Sequence, residues 1–74
     1  MFPSRPDPNL LRLDGYEVQR VPAFQATKDY VCPDCGNPIR TGEGHVVAWP
    51  DGAVDLRRHW HRHCWRLAVK RGWA

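Results

Sequence analysis

The sequence predicts a small α+β domain held together by a bound metal more than by a large core, and three observations lead there. The chain has 74 residues, and a chain of that size buries only about 60% of its unfolded surface. Its cysteines fall, with one histidine, into two pairs of matched spacing at 32–35 and 61–64. Around those pairs the pattern passes from short extended segments to a Pro-free stretch that reads as a helix. A domain this small needs disulfides or a structural metal, and three cysteines cannot pair completely among themselves.

The elements follow in chain order. Residues 1–14, rich in Pro with Asp, Asn and Arg, are expected to form a flexible arm, and residues 15–74 a single domain with its core over 30–72. "YEVQRV" (16–21) alternates as a strand does, and Pro22 ends it or places it on an edge. "ATKDYV" (26–31) reads as a further extended segment running into "CPDCGNPI". There, Pro after the first Cys and Gly after the second suit a tight turn whose backbone amides point at the thiolates. "HVVAW" (45–49) is a strand, "PDG" (50–52) a turn, and "AVDLRRHW" (53–60) the expected return strand of a hairpin. "HRHCWRLAVKRG" then reads as a helix of about ten residues with Gly72 as its stop signal. Alone in water so short a helix is marginal, so something at its start must hold it.

The two pairs compose the pattern C-x2-C-x25-H-x2-C from Cys32, Cys35, His61 and Cys64. Zinc takes four N or S ligands in a tetrahedron, and a turn plus the first helical turn supply them. One structural Zn2+ is the cofactor this predicts. Knuckle, hairpin and a helix giving the last two ligands is the treble-clef arrangement. A redox role for Cys32 and Cys35 would call for a larger strand-helix-strand domain, which the pattern lacks. His59 competes with His61 for the fourth ligand position but reads first as a supporting donor or packing residue, and His63 should point away from the metal. His45, opening a strand across the hairpin, reads as half-exposed. Trp60 and Trp65 flank the ligands and are expected to cover them with apolar surface.

"CPDCGNPI" followed by "HWHRHCW" resembles the zinc finger of the poly(ADP-ribose) polymerase type, which pairs C-x2-C with H-x2-C across a long hairpin. The resemblance covers residues 32–66. The spacer here is shorter, and Trp60 adjoins the ligand histidine where that family sets its Trp two residues before it. The wider stretch is similar to a group of small uncharacterised actinobacterial proteins. The finger family implies binding to nucleic acid through backbone contacts.

The charge pattern points the same way independently. Residues 1–31 hold four basic and four acidic side chains, whereas Arg57, Arg58, Arg62, Arg66, Lys70 and Arg71 crowd residues 57–72 with no carboxylate among them. Arg62, Arg66 and Lys70 recur every fourth residue along one helical stripe, suited to DNA or RNA phosphates. The alternative reading is a protein-interaction adaptor of the transcription or translation machinery. A nuclease using His59 or His63 is disfavoured, because no Asp or Glu lies within 56–74 to orient a base and four protein ligands leave the metal no open position. The expectation is therefore a cytoplasmic non-enzyme with no membrane role and no evident small-molecule substrate.

Overall fold

The computed structural model describes residues 11–72. The first ten residues of the expected arm lie outside that span. A three-stranded antiparallel sheet is built from β1 (Tyr16–Val21), β4 (His45–Pro50) and β5 (Arg58–Trp60), in the order β1-β4-β5. A second, two-stranded ribbon pairs β2 (Tyr30–Val31) with β3 (Pro38–Ile39). Short 3-10 turns occupy Ala23–Gln25 and Val54–Leu56, and α1 spans Arg62–Lys70.

The middle strand organises the core. β4 pairs β1 along its full length, with Val18 opposite Ala48 and Val21 opposite His45, and pairs β5 with Val46 opposite Trp60. Neighbours on both edges and cover on both faces explain why four successive residues, His45 to Ala48, are all buried. On one face Val46, Ala48 and Trp60 meet Cys64, Trp65 and Ala68, with Cys32 and Ile39 completing the cluster and Leu13, Val18 and Val69 packed against it. Trp60 and Trp65 meet edge to face, with ring centroids 5.3 Å apart. Each buries enough area to contribute about 4–6 kcal/mol of gross hydrophobic stabilisation, which in so small a domain is a large share.

Two expectations change in the structure. Only Arg58–Trp60 of the predicted return strand is extended, and Val54–Leu56 forms a 3-10 turn. The partner strand ends in Pro50, which has no N–H to donate, so the ladder between β4 and β5 stops at Ala48 and Arg58. His45 is fully buried, not half-exposed. A hairpin alone would have left that face in water, but Tyr30 and His59 lie against the His45 ring there.

Helix α1 begins at His61, the N-cap, and stops as its sequence requires. The Arg71 amide donates to the Leu67 carbonyl and the Gly72 amide to that of Val69, with Gly72 at φ +69°, a conformation that favours glycine. Helix α1 and the segment preceding β1 are tied together by the Trp65 indole, whose Nε1 donates to the Leu11 carbonyl at 2.7 Å.

Candidate metal centre

Cys32, Cys35, His61 and Cys64 come together with all four donor atoms within 4.8 Å of one another. Cys32 and Cys35 are set by the turn after β2. The Cys32 amide donates to Asn37 O at 3.0 Å, and the Gly36 amide to Cys32 O at 2.9 Å. Gly36 supplies the reversal at φ +72°. The Asn37 amide donates to the Cys35 sulfur, the largest of the influences that lower this thiol to about 7, and the neighbouring Cys64, Cys32 and His61 act in the same direction. Cys64 is moved the opposite way, to about 12, first by burial and then by the adjoining Cys35 and Cys32. Three thiols so close share charge badly, and a divalent cation at their centre removes the conflict.

The histidine is oriented as a ligand. Its Nδ1 lies 3.4 Å from Cys35 Sγ and 3.9 Å from Cys64 Sγ. Tetrahedral zinc with ordinary Zn–S and Zn–N bonds separates such atoms by about 3.5 Å. On the far side of the ring, Nε2 donates to the Pro38 carbonyl at 3.2 Å, and Glu43 Oε2 stands 4.0 Å away. A carbonyl accepting from Nε2–H leaves the lone pair on Nδ1, the tautomer a metal requires.

The site also answers how the helix starts. His61 makes no side-chain cap to the first-turn amides, because its ring is turned to the sulfurs. Side-chain caps are worth about 1 kcal/mol. A metal held by His61 at the N-cap and by Cys64 three residues on would clamp the first turn to the Cys32–Cys35 turn, with the positive end of the helix beside the sulfurs. A second tie runs along the helix: Arg71 forms an ion pair with Asp34, inside the Cys32–Cys35 turn.

The six basic residues divide among different surroundings. Arg62 and Lys70 are exposed and meet no carboxylate among the described residues. Arg66 is half-buried, with its Nε out of water and unpartnered among them. Arg71 is occupied by Asp34, and Arg57 and Arg58 border a cavity beside Trp60. His63 is exposed on the helix.

Sequence reasoning missed a second cluster behind the sheet. His45 Nδ1 is bonded to Glu43 O at 2.9 Å, and its Nε2 accepts from His59 Nδ1–H at 2.8 Å. Tyr30 stacks on His59 with centroids 3.5 Å apart and planes 9° from parallel. The signal was the strand period: His45 and His59 fall on one face, diagonal to each other, once Val47 is set opposite His59. Burial first, then the proximity of His45 and Arg57, lowers His59 to about 4. Accordingly His59 is expected to stay neutral at pH 5.5 as the Nδ1–H tautomer. Nitrogen shifts recorded through a pH titration check this, and an imidazolium signature for His59 at pH 5.5 contradicts the network. The sign for stability follows: the unfolded chain binds this proton below about pH 6.5 and the fold does not until about pH 4. Stability therefore falls as pH drops across that window, by about 1 kcal/mol once partial exposure is discounted.

A Cys3His set built from a turn and a helix start, the one such cluster among the described residues, fits a small zinc-binding protein. The chain belongs to the Rv1322 family, which matches residues 10–66 and so takes in all four candidate ligands. It is 49% identical over 61 residues to uncharacterised proteins of Mycobacterium tuberculosis H37Rv and Mycobacterium bovis AF2122/97. That alignment covers 77% of this chain and 62% of the length of each of those relatives. No solved structure matches the chain significantly. Among the described residues no helix is long and apolar enough to cross a membrane.

Proposed function

We propose that this is a treble-clef module in which one zinc ion fixes the fold and α1 presents a basic face to nucleic-acid phosphates. The order of knuckle, strands and ligand-bearing helix supports the treble-clef reading. The observation that carries the binding role is the asymmetry of α1. One side is given to the metal and core through Cys64, Trp65 and Ala68, and the other carries Arg62, Arg66 and Lys70 with no neutralising acid among the described residues. The contribution of Arg71 is reduced by its pairing with Asp34.

Phosphate contacts of this type are nearly blind to sequence and lose affinity steeply with salt, with a slope close to the number of phosphates neutralised. Three helix cations predict a log–log salt slope of about −2 to −3. Replacing Arg62 and Lys70 together with Ala is expected to lower that slope by about 2 and weaken binding to any sequence equally. Anisotropy titrations of labelled single- and double-stranded DNA and RNA at two salt concentrations measure it. Absence of binding even at low salt would sink the proposal.

A further inference from the structure

Away from the metal centre, the helix-bearing side of the sheet encloses a cavity of about 380 Å³, within the 300–1,000 Å³ range of ligand-sized pockets. Its base is Trp60 and Trp65, both almost completely buried, and its walls include Tyr16, Pro50 and Leu56. Arg57 and Arg58 border it, both exposed, and no carboxylate of the described residues lines it. Arg57 is already held in place, its guanidinium donating to Val54 O at 3.2 Å. Leu56, which lines it, is left 59% exposed, and Val54, two residues before it, 52%. None of these residues belongs to the Cys3His cluster.

Apolar depth flanked by guanidinium groups asks for a ligand with a bulky apolar group beside negative charge. We propose that this cavity docks an acidic segment of a partner protein. One apolar side chain of that segment enters the cavity against Tyr16, Pro50 and Leu56, and its flanking carboxylates meet Arg57 and Arg58. Exposed aliphatics beside a cavity are the kind of surface that a partner covers. Arg forms bidentate pairs with carboxylates and is enriched at energetically dominant interface positions. Nucleic acid fits this place less well. Base recognition needs an open aromatic face, and Trp60 and Trp65 expose 1% and 0% of their surface. The inference is independent of the phosphate-binding reading, since Arg62 and Lys70 lie outside the cavity lining.

The test uses the zinc-loaded full chain and a set of labelled glutamate-rich peptides, each with one central phenylalanine, tryptophan or leucine. At least one is expected to bind saturably, shifting the amide resonances of Leu56 and Arg58. Arg58→Glu and Leu56→Ser should each weaken it by about tenfold, as loss of an interface anchor does. Both variants change exposed side chains and are expected to keep one zinc per chain. Lys70→Ala should leave peptide binding unchanged while reducing any nucleic-acid binding. Several results would overturn the proposal: no saturable binding by any member of the set, equal binding by a peptide with glycine at the centre, or affinity indifferent to Arg58→Glu. Displacement of the peptide from Leu56 and Arg58 by a single-stranded oligonucleotide would reassign the cavity to nucleic acid.

Discussion

Removing the metal with a chelator is expected to unfold the domain, with loss of far-ultraviolet ellipticity and of near-ultraviolet tryptophan signal, both restored by stoichiometric zinc. The reason lies in what else could hold α1. It has nine residues and no side-chain cap, and its first turn is fixed by His61 and Cys64 reaching the same point as Cys32 and Cys35. In sites of this kind metal-binding free energy is folding free energy, with apparent values of about 10–16 kcal/mol. That exceeds the total stability of most small domains. Cys32→Ser and Cys64→Ser should therefore be equally damaging, because each removes one of four bonds to the same ion. His63→Ala should retain one zinc per chain, its side chain being exposed on the helix. The pH dependence has a fixed sign. Without metal, Cys64 holds its proton to about pH 12 and Cys35 only to about 7. Binding must expel the thiol protons, so zinc affinity rises with pH between 6 and 8, as competition titrations with a chromophoric chelator can measure. Unchanged circular dichroism after metal removal verified by atomic absorption would falsify the structural role.

Much of this arrangement is legible in the residues because short-range chemistry dictates it. The Cys-Pro-Asp-Cys-Gly turn, the strand over "YEVQRV" and the glycine stop at Gly72 each follow from local rules, and each appears where those rules put it. What depends on long-range pairing is not legible. Nothing local says that β1 would pair with the far side of β4, nor that Tyr30 and His59 would close over the ring of His45. The same gap hid the stacking of Tyr30 on His59, since the two are brought together only by the packing of β2 against β5. The basic stripe shows a third kind of limit. Periodicity groups Arg62, Arg66 and Lys70 on one face, but only coordinates reveal that Arg66 is half-buried and that Arg71 is spent on Asp34.

Trp65 gives the second large effect, because it joins three parts of the molecule. Its ring is fully buried, packs edge to face on Trp60, and donates its indole N–H to the Leu11 carbonyl. It also follows the ligand Cys64 directly, so its packing fixes the helical turn from which that sulfur projects. Trp65→Ala is expected to cost about 3–5 kcal/mol through lost transfer energy and the cavity it leaves. In so small a domain that reduces or abolishes folding even with zinc present, and should weaken zinc affinity by the same coupling. Trp65→Phe separates the two contributions. It keeps most of the apolar packing but removes the donor to Leu11, at about 1 kcal/mol. The expected result is a zinc-bound, folded protein in which the amides around Leu11 and Leu13 exchange faster, while those of β4 are protected as before. Hydrogen exchange on the two variants decides the matter. If Trp65→Ala melts no earlier than the wild-type zinc form, the metal alone carries the stability and the tryptophan pair is only cover.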